Sequence, residues 1–459
     1  MMIFKIAFRN IFRNRRRSLM TMSAIAVGGI ASLIFGGYML YTVLGFQTIT
    51  VQRAGHLTVF RNGYFNFGTG NPAAYGIDGY KELLALVRED PVLKPMLVVA
   101  TPTLSVFGIA GNFEADTSKT FFGVGVVPSD RDIMRGWNGY GFGRPGRRSA
   151  LADDDSARGV IGTGVARILG LCERLDLANC PPVPPNRREA GEVPGAPALN
   201  LPVQEATVRT DEAPWLDLLA GTAGGAPNIV RLRVEGAEYQ GFKEFDDNYI
   251  GLHLDLAQQL LYGRGAPKAT GIVIQLRRTE DMGAARARLL SLFSQHGLDL
   301  EVRDFTELTP LYGQVIGLYG SIFSFISVIM GIVVLFTVVN TMGMSVVERT
   351  NEIGTVRAMG IRRRGIRRQF LVEGSLLGAF GATAGVILAA LIAYAMNNAG
   401  LLWTPPGSTQ PVPLRIYLSG STALIVGVWA GLVIVSTVAS LLPAMRAARL
   451  PIVEALRHV

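Results

Sequence analysis

Four long stretches of the chain are apolar almost without interruption, and the remaining pattern is organised around them. Residues 19–48, 313–345, 369–397 and 416–443 are each long and apolar enough to cross a membrane as a helix, since a hydrocarbon layer of about 30 Å takes about 20 residues. The first eighteen residues follow a different rule. There Ile3, Phe4, Ile6, Ala7, Phe8, Ile11 and Phe12 are set against Lys5, Arg9, Arg13 and Arg15, which at helical spacing gives one apolar and one cationic face. Such a helix is suited to lying at an anionic membrane surface before the chain turns inward.

Between the first and second apolar stretches the period changes to that of a mixed α+β domain, residues 49–312. Alternation predicts strands over 56–60, 97–110, 120–127, 229–234, 270–276 and 300–303, and 3.6-residue periodicity predicts helices over 79–90, 162–171, 254–261 and 280–295. Pro91 stops the first of these helices. The part after residue 229 resembles half of a ferredoxin-like unit. Residues 179–228 are rich in Pro, Gly and Ala, with little apolar side chain to bury, and most of them are read as an extended insertion or mobile loop. The expected fold class is therefore a membrane protein with four transmembrane α-helices and a large α+β extracytoplasmic domain between helices 1 and 2. Residues 1–18 form its amphipathic start, 346–368 and 398–415 its short connections, and 444–459 its tail.

Charge sets the orientation. A net charge of +9 would suit a nucleic-acid partner, but the 27 Lys and Arg of residues 49–312 are outnumbered by 31 Asp and Glu. The excess cations sit at the ends of the apolar stretches: Arg13, Arg15, Arg16 and Arg17 before the first, Arg362, Arg363 and Arg364 before the third. That is the positive-inside distribution of a membrane protein, and it excludes nucleic acid as the reason for the charge. It predicts a bacterial inner membrane protein with both termini in the cytoplasm and membrane lipid around it. Residues 19–48 are too long for the core of a signal peptide and are read as an uncleaved anchor.

Catalytic patterns are absent. No GxxxxGK[ST] phosphate loop and no HExxH occur, and His56, His253, His296 and His458 are scattered, so neither a catalytic residue nor a metal site is assigned. Gly123-Val-Gly125 and Gly162-Thr-Gly164 lack a full dinucleotide fingerprint and read as turn glycines. The trio Asp153, Asp154 and Asp155 lacks calcium-loop spacing. Cys172 and Cys180, the two cysteines, lie in the segment assigned to an oxidising compartment; a disulfide and two thiols both fit their spacing. Glu373 is an ionisable group just inside the third apolar stretch, where it needs a function or a partner; Arg367 and Arg368 are the nearby candidates. Gly374, Gly378, Gly381 and Gly385 allow close helix packing in the same stretch.

The segment 346–360 (VVERTNEIGTVRAMG) lies in the cytoplasmic gap between the second and third stretches. As a short helix it places Ile353 and Val356 on an apolar face and Glu348 and Glu352 on an acidic one, with Ile353 and Val356 read as anchors for a partner groove. Residues 340–360 (NTMGMSVVERTNEIGTVRAMG), 369–373 (QFLVE) and 442–456 (LPAMRAARLPIVEAL) resemble the FtsX-like permeases of ABC transporters, the macrolide-exporter and lipoprotein-releasing group. Within it, residues 54–60 (AGHLTVF) and 242–246 (FKEFD) are most similar to the lipoprotein-releasing branch, while the Pro-rich insertion departs from that pattern.

That resemblance implies a permease subunit that relays ATP-driven closure of a separate motor to the outer domain. It implies two copies of a cytoplasmic ABC ATPase carrying the ATP and magnesium, no cofactor on this chain, a second or paralogous permease copy, and a periplasmic or outer-membrane lipoprotein acceptor. The matching coupling residues are Glu348, Arg349, Thr350, Glu352, Ile353, Val356, Arg357 and Met359. The expected cargo is a lipoprotein or another amphiphile; regulation of cell-wall hydrolases, and antimicrobial-peptide resistance or efflux, are the alternatives.

Overall fold

The computed structural model describes residues 2–141, 149–177, 180, 213–241, 243–404 and 411–457. Along the chain, α1 (Met2–Arg13), α2 (Arg15–Ala54), β1 (Leu57–Arg61), α3 (Tyr80–Glu89), β2 (Leu97–Asn112), β3 (Thr117–Val126), α4 (Pro128–Arg135), β4 (Arg158–Ile161) and α5 (Thr163–Ile168) come first. They are followed by β5 (Trp215–Gly221), β6 (Pro227–Ala237), α6 (Lys243–Asp246), β7 (Tyr249–His253), α7 (Leu254–Tyr262), β8 (Gly271–Leu276), α8 (Met282–Gln295), β9 (Leu300–Asp304) and α9 (Phe305–Leu308). The rest is α10 (Pro310–Glu348), α11 (Thr350–Ala358), α12 (Arg363–Asn398), β10 (Leu402–Trp403), β11 (Val412–Pro413), α13 (Thr422–Arg449) and α14 (Ile452–Arg457). These make two compact units, one of residues 1–46, 311–403 and 411–459, the other built on residues 47–310.

The α+β unit joins two substructures through one long strand. The first half of β2 pairs with β8, which pairs with β1 and then β9, all antiparallel. With α3 between β1 and β2 and α8 between β8 and β9, this is a complete ferredoxin-like βαββαβ arrangement. The unit anticipated after residue 229 is thus only its second half, and residues 57–112 supply the first. The second half of β2 pairs with both β3 and β5, which closes the ring β3-β7-β4-β6-β5-β2 into a six-stranded barrel. Strands β4 and β7 and helix α4 were not anticipated, because they are short and their partners lie far away in sequence. Within 179–228, read for the most part as an extended insertion, β5 is regular structure, with Leu216 and Leu218 fully buried inside the barrel. Residues 181–212 lie outside the described residues.

Local chemistry explains the joins. Asp90 ends α3 by accepting the N–H groups of Val92 and Leu93 and pairs with Arg288 of α8 at 2.7 Å. The hydrogen bond from Arg288 holds the Asp90 carboxyl below its ordinary range. Cys172 and Cys180 are joined as a disulfide. In Gly162-Thr-Gly164 the N–H groups of Thr163 and Gly164 donate to the Asp246 carboxylate at 3.0 and 2.8 Å, so an internal anion fills the place a phosphate would need. A Cβ on Gly162 would meet the Asp246 carbonyl oxygen at 1.9 Å, which accounts for the glycine.

His56 is fully buried, with Nδ1 accepting the Leu276 N–H at 3.0 Å and Trp137 edge-on at 5.0 Å. Burial pushes the imidazole down to about 4, against an opposing pull from Asp281. A base whose folded value lies below its unfolded value takes up its proton on unfolding. Stability should therefore be complete above about pH 6.5 and decline as pH falls towards 4, by about 3 kcal/mol in full. Unfolding of the full chain followed by tryptophan emission between pH 7.5 and 4.5 should show that loss, and His56→Gln should flatten it.

The other unit holds the four long helices α2, α10, α12 and α13, each long and apolar enough to cross a membrane. All four extend past the apolar stretches. The fourth begins later than the sequence suggested, at Thr422 rather than 416, because Ile416 and Leu418 bury in a non-helical segment. There the Tyr417 N–H donates to Gly37 of α2, and the Asn397 amide bonds both backbone groups of Ile416. The glycines of α12 serve packing within the chain. A Cβ on Gly374 or Gly378 would press on Ser440 or Ser436 of α13, and one on Gly381 or Gly385 on Ile25 or Ala26 of α2.

Candidate functional site

The gap between α10 and α12 is a pinned helix. α10 stops at Glu348, Arg349 leaves helical geometry, and the Thr350 hydroxyl donates to the Val346 carbonyl at 3.0 Å as α11 begins. At the far end Gly360 takes φ +96°, the Gly360 N–H donates to Arg357 O, and the Ile361 N–H donates to Val356 O. That is a Schellman end, and its left-handed position is why a glycine closes the segment.

The residues expected to face a partner mostly face inward. Ile353 is 5% exposed and sits in the apolar core with Val346, Phe370 and Ala444, and Val356 packs against the same cluster. A short helix tied at both ends to a helical unit buries its apolar stripe in that unit, which corrects the reading of these two as partner anchors. The charges are also engaged within the chain. Arg17 makes two hydrogen bonds to Glu348, joined by Asn14 at 3.3 Å; Arg13 reaches Glu352 at 2.6 Å. Arg357 donates to the carbonyl of Leu450, bracing α11 against the tail. Burial would raise the Glu352 carboxyl, but hydrogen bonds from Arg349 and Arg13 prevail and hold it below its ordinary range.

Glu373 has a different partner from the one expected. Arg349 pairs with it at 3.3 Å, both side chains buried, and Arg349 also lies over the Phe370 ring. Arg367 and Arg368 are exposed; six and five residues back on the same helix, they lie well round its circumference from Glu373. Arg15, Arg16, Arg362, Arg363 and Arg364 are exposed at the ends of their helices.

What α11 offers outward is Asn351, Thr355, Ala358 and Met359, the last 71% exposed. Met359 was among the expected coupling residues and is exposed as expected of a contact, whereas Asn351, Thr355 and Ala358 went unrecognised because they carry no charge, although their spacing of four and three opposite Ile353 and Val356 marks them. Among the described residues no group of three or more His, Cys, Asp or Glu could hold a metal.

Four helices long and apolar enough to cross a membrane, with a pinned helix between the second and third, give the architecture of a membrane protein. Residues 324–452 match the FtsX-like permease C-terminal domain. It is similar to the lipoprotein-releasing system transmembrane protein LolC of Neisseria meningitidis serogroup B, 26% identical over 51% of this chain and 57% of LolC. It is also similar to the macrolide export ATP-binding/permease protein MacB of a Shewanella species, 34% identical over 47% of this chain and 33% of that protein. The pyoverdine export ATP-binding/permease protein PvdT of Pseudomonas entomophila is 31% identical over 46% of this chain and 30% of its own length. The chain thus spans between 30% and 57% of the length of these relatives.

Proposed function

We propose that this chain is the permease subunit of an ATP-binding cassette transporter, in which a separate cytoplasmic ATPase pushes on the outward face of α11. The observation that carries the reading is the construction of α11. It is fixed at both ends, its apolar side is buried, its charges are occupied, and one small uncharged face remains open. A surface built this way passes on displacement without deforming. The names of the relatives, lipoprotein release and export of macrolide or pyoverdine, favour an amphiphilic cargo.

On this reading the ATP and magnesium belong to the partner, since this sequence has no phosphate loop. The cationic ends of the helices support a reading with both termini and α11 in the cytoplasm of a bacterium and the α+β unit outside its inner membrane. A second permease copy would complete the transporter, and a lipoprotein acceptor would meet the outer unit. Purification of the full chain from its own membranes tests the proposal. An ABC ATPase should accompany it and turn over ATP faster with it than alone, and inner membranes lacking the chain should accumulate lipoprotein. Absence of an accompanying ATPase would overturn the permease reading, and unchanged lipoprotein would overturn the cargo.

A further inference from the structure

The long strand β2 passes from the ferredoxin-like sheet into the barrel between Thr103 and Leu104, where its partner changes from β8 to β3. A cavity of about 30 Å³ lies at that seam, wholly within the α+β unit. Val126 of β3, Met134 of α4 and Val273 of β8 give it an apolar wall, and Thr101, Arg53 and Arg131 line the rest with polar groups. Space of that size takes one or two water-sized groups.

These polar groups have donors to spare. Thr101 is 6% exposed, and its hydroxyl has no hydrogen-bond partner among the described residues, a costly state for a buried group. Arg131 spends Nη1 on the carbonyls of Gln52 and Arg53, at 3.3 and 2.6 Å, and its other donors take no acceptor among the described residues. Arg53 bonds Gln240 through Nη2 and lies 4.5 Å over the Phe245 ring. Both guanidinium groups are part-buried, and neither forms an ion pair among the described residues. The carboxylates around them are engaged elsewhere: Glu238 pairs with Arg135, Asp246 accepts the N–H groups of Thr163, Gly164 and Gln240, and Asp132 accepts that of Ser149. Burial pushes the Arg131 guanidinium below its ordinary value, and the neighbouring Arg135 adds to this while Tyr249 opposes it. Two positive charges thus line one cavity with no counter-charge in contact.

We propose that this cavity is a binding site for a small monovalent anion of the size of chloride, held between the guanidinium groups of Arg53 and Arg131 with the Thr101 hydroxyl donating to it. A single charge suits the apolar wall better than a doubly charged oxyanion, because the cost of taking an ion out of water rises steeply with its charge. Bound there, the anion would tie α4 to β2, so the stability of the chain would follow the anion supply. The inference uses residues of the α+β unit alone and stands whether or not the chain is a permease subunit.

Sodium chloride is the probe, added to the full chain in detergent micelles with sodium gluconate, whose carbon chain is too large for the cavity, holding the ionic strength constant. Replacing gluconate by chloride should raise the midpoint of thermal unfolding along a saturating curve. The chlorine NMR line should broaden in the presence of the chain and narrow again as bromide competes. Thr101→Val keeps the shape of the side chain and removes its donor, so it should need about tenfold more chloride for half the rise, as for loss of one hydrogen bond to a charged group. Arg53→Met should abolish both signals, and Arg264→Met, which removes an exposed cation outside the cavity, should change neither. If Arg53→Met does not fold, the chloride curve of Thr101→Val decides alone. Equal midpoints in chloride and gluconate would mean that the cavity holds water only and would overturn the site, as would a parent-like chloride curve in Thr101→Val.

Discussion

Arg349→Ala is expected to destabilise the helical unit by about 3–5 kcal/mol, the size of effect seen when one member of a buried ion pair is removed. Arg349 is 9% exposed and Glu373 5%, at 3.3 Å, so alanine would leave a carboxylate in the apolar packing of α10 and α12. The same substitution also removes the 3.1 Å hydrogen bond that helps hold Glu352. The loss would come from the stranded charge more than from the attraction itself. Arg349→Met combined with Glu373→Leu should therefore recover most of the stability, because apolar residues of similar volume avoid the desolvation cost altogether. Thermal unfolding in detergent micelles distinguishes these cases. A loss below about 1 kcal/mol for Arg349→Ala would mean that water reaches the pair.

The second large effect concerns function and should leave the fold intact. Met359→Glu with Thr355→Arg is expected to weaken association with the ATPase by about 30-fold or more, as for loss of a central contact of about 2 kcal/mol. Both side chains are exposed, so the unfolding midpoint should stay where it was. Ile353→Ala should behave in the opposite way. Its side chain is buried among Val346, Phe370 and Ala444, so the substitution should cost stability, about 2–4 kcal/mol, before it alters any partner. Equilibrium binding and unfolding measured on the same preparations separate the two.

Much of this fold is legible along the chain because its strongest signals are local. The four apolar stretches, the amphipathic start and most elements of the ferredoxin-like part each declare themselves within a window of some ten to twenty residues. What stayed hidden depends on contacts between distant segments. The barrel closes only because β2 meets β3 on one side and β5 on the other, and no local period announces a closed ring. Glu373 illustrates the same limit. The cations next to it on α12 are exposed, and its partner Arg349 comes from the end of the preceding helix. The apolar stripe of α11 was turned towards a partner and is covered by the helix's own unit, since an apolar stripe on a short helix declares that something covers it without saying what.

The claim on which the rest depends is that the uncharged face of α11 receives the ATPase. Single cysteines at Asn351, Thr355 and Ile353, introduced one at a time and treated with a short thiol crosslinker in native membranes, test it most directly. Asn351→Cys and Thr355→Cys should join the chain to the ATPase, with a yield that changes when ATP is bound, and Ile353→Cys should not. Crosslinking at Ile353→Cys alone, or to no ATPase from any of the three, would contradict the account.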